Sequence, residues 1–465
     1  MNHIEREHPL YAAQKDTWRQ YNDLYAGGEQ LRQNASTYLH RRNKEPLQVY
    51  GERLDRVFYE NYIGSIIDWY GATLLRREPV LTYEGSNEAA KRFFAGFADD
   101  CDLKGTSLSD FFRRQLVSAL IYGKTYVAVD FPRPTTQAMT RAEEDALGQS
   151  RAYLLEYSPQ DIINWKHDSR GNLDWVVIRT TCHQQKSITD PTCKPHATWV
   201  YYDKQRYQIF EHSTSNDGTG EMTLMDQGYH ALAALNRVPL FQLKVSEGLW
   251  LMNKAALLQL EHFNKSNALS WALTMGLFAS PVIYSEREWN QIVGESYYIQ
   301  LGPGDKFGWA EPEGKVYQIA ADNLVRLKDE IYRVCYLMSQ AGSSQAMNVS
   351  QSGLSKQRDF SITQEVLRAY GDASKDTMRQ VLRAIEAARQ DGLVIDVSGL
   401  DEFDIGDFST ELDDAKKLLD LGIDSLTLKK QLYKRLAYKY FCDVRQEVKD
   451  QIAREIDQSF EKSGN

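Results

Sequence analysis

The chain has 465 residues, 42% hydrophobic and 26% charged, with a net charge of −9; it is long enough for roughly two to four cored domains and lacks a protein-wide basic footprint for nucleic acid. Five cysteines at irregular spacing exclude a disulfide scaffold and point to a reducing compartment. The opening MNHIEREHPLY has no signal-peptide core and no run of about 18 apolar residues is present to cross a bilayer, so the expectation is a soluble product made inside the cell.

In chain order, residues 1 to 80 read as helical. A first segment runs from Thr17 through Tyr25 to Gly27-Gly28, and one long pattern from Glu45 to Leu75 carries Tyr50, Leu54, Val57, Phe58, Tyr62 and Ile66. Pro79 closes it ahead of a strand at Val80–Tyr83. Helices are expected at Asn87–Cys101 and Leu108–Ile121, the latter passing through Gly123 into a strand at Thr125–Val129. A polar insertion occupies 133–150. From Ala152 to Phe241 the pattern is β, with strands at Tyr153–Tyr157, Ile162–Trp165, Trp175–Thr180, Trp199–Asp203 and Tyr207–Glu211.

The stretch 249–357 organises the rest. In a helix over Leu249–Gly276, Met252, Ala256, Leu260 and Phe263 recur at helical spacing while Lys254, Glu261 and Lys265 mark a polar face. A second, over Asp322–Gln340, repeats Leu324, Leu327, Ile331, Val334 and Met338 at helical spacing. Between them Pro281, Gly294, Gly302, Pro303, Gly304, Pro312 and Gly314 exclude a long helix and leave short strands at Pro281–Tyr284, Tyr297–Leu301 and Lys315–Ile319. AGSSQAMNVSQSGLSKQ, Ala341–Gln357, is a nearly uncharged loop. The longest helix follows over Lys356–Arg389, with Phe360, Thr363, Leu367, Tyr370, Thr377, Val381, Ile385 and Ala388 on one face. A short β segment, Val394–Val397 and Phe403–Phe408, precedes helices at Glu411–Leu421, Leu426–Tyr440 and Val444–Phe460.

Catalytic signatures are lacking. Gly123-Lys124-Thr125 has Ser118 where a phosphate loop needs glycine, and its order is helix then strand, the reverse of the motif; a tight turn explains it better. Cys182, His183, Cys193 and His196 share a fifteen-residue window, yet adjacent strand residues such as Cys182 and His183 point to opposite faces and ligate poorly together. No nucleophile elbow and no dinucleotide fingerprint appears, and the expectation is a protein that is not an enzyme, with no cofactor and no metal. A long helix, β knot, helix, loop and longer helix describe a mechanical device.

These residues also resemble a known family, the tailed-bacteriophage portal proteins. The resemblance rests on Tyr38-Leu39, Tyr50, Arg53-Leu54, Phe58, Asn61-Tyr62, Gly71 and Pro79, on LIYGKTYVAVDFP (Leu120–Pro132), AYLLEYSPQDIINW (Ala152–Trp165), VPLF (Val238–Phe241) and LLQLEHFNKSNAL (Leu257–Leu269). Each is weak alone; their joint order spans roughly residues 30 to 460.

The resemblance implies an α+β, multi-domain, mainly helical subunit of a homo-oligomeric ring of about twelve copies at one capsid vertex. It implies a wing (1–248 and 357–410), two stem helices (249–276 and 322–340), a clip (277–321), a tunnel loop (341–356) and a crown (411–465). Implied partners are double-stranded DNA passing through the channel without base readout, the terminase large subunit, a head–tail adaptor, and the major capsid and scaffolding proteins, with no membrane. On that reading Ser343, Ser344, Gln345, Asn348, Ser350 and Gln351 of the loop touch phosphates. Lys356 and Arg358 either add charged contacts or sit solvated at a helix start. Lys254, Glu261, Lys265, Arg326, Glu330 and Arg333 would face the stem lumen. Trp289, Tyr297, Tyr298 and Trp309 would meet a neighbouring subunit or partner, or fill the clip's own core. Rival readings are a passive head–tail connector without a tunnel loop, and a nucleic-acid-processing hydrolase.

Overall fold

A computed structural model describes residues 3–132, 143, 148, 150–184, 194–212, 222–277, 280–285, 303–310, 314–337, 353–400, 408–420, 425–440 and 446–462. The chain divides into two units. A sheet unit comprises Met1–Gln14, Trp69–Glu247 and Gln364–Asn465, and a stalk unit comprises Lys15–Asp68 and Gly248–Thr363. Each mixes helix and strand, so the class is a multi-unit α+β fold.

The opening elements are α1 (Pro9–Ala26), α2 (Gly28–Gln33), α3 (Ala35–Tyr38), α4 (Leu47–Asp55) and α5 (Tyr62–Leu74). The long helix expected over Glu45–Leu75 is therefore two, because residues 56–61 are pulled out of helical geometry by side chains from elsewhere in the stalk unit, described below.

In the sheet unit, β1 (Val80–Glu84) and α6 (Glu88–Asp99) precede α7 (Leu108–Tyr122). Ser107 caps α7 by accepting from the Asp110 amide, and Gly123 ends it at φ 84°, a left-handed conformation that glycine adopts without strain. The chain then enters β2 (Lys124–Asp130), where Thr125 to Val129 are all buried. Gly123-Lys124-Thr125 is thus a helix-to-strand turn. β2 lies between β3 (Tyr153–Tyr157) and β9 (Leu240–Lys244), both antiparallel to it.

A second sheet is a five-stranded antiparallel meander of β4 (Ile162–His167), β5 (Leu173–Gln184), β6 (Lys194–Asp203), β7 (Arg206–His212) and β8 (Met222–Tyr229). Ile162, Val176, Ile178 and Tyr202 of the meander share one core with Tyr126, Ala128, Val238 and Leu240. β8 and β9 were not among the expected strands. Exposed Leu224 and Met225 blur the alternation of β8, and Pro239 reads as a stop ahead of β9.

In the stalk unit, α8 (Leu251–Leu277) leads through β10 (Ser280–Tyr284) and β11 (Lys306–Ala310) into α9 (Gly314–Val334). Three expectations need correction here. Lys315–Ile319 is not a strand but the first turns of α9; Val316 and Ile319 look β-like, yet both are exposed. The second helix covers Gly314–Val334, not Asp322–Gln340, because Tyr336 at φ 63° turns the chain away. The ribbon partner of β10 is Lys306–Ala310, hidden in sequence by Gly308, with Ser280 opposite Ala310 and Tyr284 opposite Lys306. The expected strand Tyr297–Leu301 lies outside the described residues.

The long helix α10 (Gly353–Arg389) begins earlier than its expected Lys356 start, so Lys356 and Arg358 belong to its first turns. From Gln364 on it is part of the sheet unit, burying Leu367, Tyr370, Met378, Val381, Leu382 and Ile385. Tyr370 meets Tyr70 edge to face, ring centroids 5.6 Å apart. β12 (Val394–Ser398) pairs antiparallel with β1, tying residue 80 to residue 398. The tail is α11 (Phe408–Asp420), α12 (Leu426–Tyr440) and α13 (Gln446–Lys462). Lys434 and Asp457 pair at 2.6 Å across the last two. Phe408 opens α11 and is not part of a strand; the remainder of the expected Phe403–Phe408 strand lies outside the described residues.

Candidate functional site: a clamped helix pair

The stalk unit is built on two antiparallel helices. The 27 residues of α8 span about 40 Å and the 21 of α9 about 32 Å at ~1.5 Å per residue. Their register is fixed by three contacts that ascend one helix as they descend the other. Tyr336 Oη receives a hydrogen bond from Lys254 Nζ, which also sits 4.3 Å from the Tyr336 ring centroid. Lys265 Nζ donates to Asn323 Oδ1 at 3.0 Å, and Tyr317 donates to the Ala272 carbonyl at 3.3 Å. Met252, Ala255, Ala256 and Phe263 of α8 and Leu327 and Ile331 of α9 are buried. Cys335 is buried just past α9, and burial pushes its thiol pKa up to about 12.

A second set of contacts was not anticipated. Along α8 a row of amide side chains holds the backbone of residues 38–63. Gln259 donates to the Glu60 carbonyl at 2.8 Å and accepts from the Ile63 amide at 3.3 Å. Asn264 donates to the Tyr38 carbonyl at 3.0 Å and accepts from the His40 amide at 2.8 Å. Asn267 donates to the Phe58 carbonyl at 2.9 Å and accepts from its amide at 3.1 Å, the two-point pairing a neighbouring strand would provide. A carboxamide suits this task because it carries both a donor and an acceptor. These bonds replace the helical ladder between α4 and α5.

The amides belong to the Leu257–Leu269 motif, and the backbone they hold belongs to the Tyr38–Tyr62 motif. Within the latter, Tyr38 donates to Asp23 at 2.6 Å, Tyr50 to the Leu39 carbonyl at 2.9 Å, and Arg53 to Glu45 at 2.9 Å in a buried ion pair. Asn61 donates to the Tyr25 carbonyl at 2.8 Å. Two sequence blocks some two hundred residues apart are one physical object. The one signal that marks it in sequence is the run of amides on a face otherwise made of Met252, Ala256 and Phe263.

His262 completes this face. It is buried, its Nε2 lies 3.4 Å from Glu60, and its Nδ1 has no hydrogen-bond partner among the described residues. Burial lowers its pKa, Lys328 lowers it further, and Glu60 opposes both.

The charged positions expected to face a lumen fall into three groups. Lys254 is committed to Tyr336 and is half-buried. Glu261 and Lys265 pair at 2.8 Å on an outer face of α8. Arg326, Glu330 and Arg333 form one stripe on α9, with Arg326 and Arg333 exposed. The Arg333 hydrogen bond holds the Glu330 carboxyl below its usual range, helped by the charges of Arg333 and Arg326. Ser343, Ser344, Gln345, Asn348, Ser350, Gln351, Trp289, Tyr297 and Tyr298 lie outside the described residues; Trp309 is placed on β11 opposite Pro281.

Cys182 faces His196 across β5 and β6, but His196 pairs with Glu211 at 3.2 Å. Among the described residues no cluster of three or more metal-ligand types occurs, and no helix is long and apolar enough to cross a membrane.

No protein-family model matches the chain, and no curated protein matches it. Among solved structures it is similar to a chain from the virion of a native gene transfer agent particle, at 12% identity and a TM-score of 0.40. That match covers 84% of this chain and 94% of that one. It is also similar to a chain from the neck of an empty gene transfer agent particle, at 11% identity and a TM-score of 0.38, covering 78% and 87%.

Proposed function

We propose that the chain is a portal-type subunit: a homo-oligomeric ring of about twelve copies at one capsid vertex, the conduit for double-stranded DNA and the docking site for a terminase and a head–tail adaptor. The observation that carries the reading is the stalk unit. Two antiparallel helices joined through a β-ribbon would provide stem and clip, and two of the motif blocks behind the resemblance, Tyr38–Tyr62 and Leu257–Leu269, meet on that same stem. The tunnel loop expected at 341–356 would be 341–352, since the long helix starts at Gly353, and would offer Ser, Gln and Asn to phosphates without base readout.

A conduit must not hold its cargo. Each phosphate neutralised by lysine or arginine adds affinity through counterion release, and a chain of net charge −9 opposes that. The Arg326–Glu330–Arg333 stripe carries its own neutralising carboxylate, which suits a surface that passes DNA rather than grips it. Deleting residues 341–352 tests the reading. The expected variant assembles as the wild type does but fails to package or retain DNA. Unimpaired packaging would favour a passive connector, and DNA cleavage by the purified chain alone would favour a hydrolase.

A further inference from the structure

The sheet unit holds a cavity of about 1090 Å3 walled by β2, β9 and the turn from β4 to β5, at the upper end of the range for ligand pockets. Its walls carry Lys124, Arg170, Lys204, Arg237 and Lys244 against one lining carboxylate, Asp168. The rest of the chain is acidic, so this is a local reversal of sign. Lys204 is satisfied by Asp168 at 3.1 Å and Asp174 at 3.4 Å. Arg170, Arg237 and Lys244 have no such carboxylate among the described residues. Lys124 sits 5.4 Å from the Trp165 ring centroid and 5.7 Å from that of Tyr126; burial, with the nearby Lys244, pushes its pKa down. An arriving anion would relieve that crowding.

The aromatic rings select among anions. Single-stranded nucleic acid needs open ring faces on which bases stack. Here Trp165 is stacked by His8 at 4.1 Å as well as met by Lys124, and Phe241 is buried beneath Arg237 at 4.4 Å. The open apolar surface is aliphatic instead, from Leu10 and Leu235, 59% and 39% exposed. A ligand with carboxylates spaced by apolar side chains fits both features. The seven-residue stretch of this chain richest in carboxylates, with four, has that pattern: Asp401-Glu402-Phe403-Asp404-Ile405-Gly406-Asp407.

We propose that this cavity receives the acidic stretch 401–407 of a second copy of the chain, carboxylates to Lys124, Arg237 and Lys244 and apolar side chains to Leu10 and Leu235. The proposal needs two copies but no closed ring, so it stands or falls apart from the portal reading.

The test is fluorescence anisotropy with a labelled peptide of residues 400–408, titrated with full-length protein carrying D401N, E402Q, D404N and D407N so that its own stretch cannot compete. Saturable binding is expected, weakened at least tenfold by Lys124→Gln with Arg237→Gln. It should resist competition by an unlabelled oligothymidylate of equal charge. No binding overturns the proposal, as does an oligonucleotide that displaces the peptide equally well. Carbodiimide cross-linking of mixed heavy- and light-isotope wild-type chains settles which copy supplies the stretch. Links from Lys244 to Glu402 between isotopes are expected; links confined to one isotope would contradict a second-copy donor.

Discussion

At the scale of single residues, the amides of α8 explain why the chain between α4 and α5 is not helical. Asn267→Ala removes both bonds to Phe58 and strands a backbone donor and acceptor, so it should destabilise the protein by about 1–3 kcal/mol in urea unfolding. Lys265→Ala, which breaks exposed contacts to Glu261 and Asn323, should change stability by no more than about 0.5–1 kcal/mol. Equal effects would mean that the amide row is incidental. His262 and His230 give a pH signature of their own. Burial lowers both folded pKa values, while the unfolded chain titrates near ~6.5. Between the folded and unfolded values the unfolded state binds more protons, so stability rises with pH there and is lost as pH falls below about 6.5. Denaturation midpoints at pH 7.5 and 5.5 should show the drop, and His262→Gln should reduce it; an unchanged slope would remove His262 from the account.

Elements show where sequence suffices and where it fails. Periodicity locates α7, α8 and α10 well, since each buries a stripe of side chains at helical spacing. It fails at residues 56–61, where Val57 and Phe58 keep the period while Asn267 holds the backbone, and at Lys315–Ile319, where β-branched residues sit in helix. Both outcomes depend on partners far away in the chain. Of the charged stem candidates, Glu261, Lys265, Arg326 and Arg333 are exposed, Glu330 is half-buried, and Lys254 serves Tyr336; nothing local announces Tyr336 at φ 63°. Helix glycines provide a paired test. A methyl group at Gly371 would lie 2.3 Å from the Leu400 carbonyl oxygen, so Gly371→Ala should destabilise by roughly 1–3 kcal/mol through forced backbone movement. At Gly96, in α6, an added methyl meets nothing within 4 Å, so Gly96→Ala should stabilise by about 0.5–1 kcal/mol. Thermal unfolding of the two variants should move in opposite directions; shifts of the same sign would disprove the packing read at Gly371.

For the molecule as a whole, the claim is that acidic subunits assemble around DNA without gripping it. The assembled particle should therefore bind duplex weakly, with an affinity that changes little between low and moderate salt because few phosphates are neutralised. Tight binding with a steep salt dependence would point to a basic track that the stem stripes do not supply.

The most direct measurement is the mass of the purified particle by native mass spectrometry, taken over a range of protein concentrations. The account predicts a closed assembly of about twelve copies that persists on dilution. A chain that stays monomeric at every concentration would contradict it.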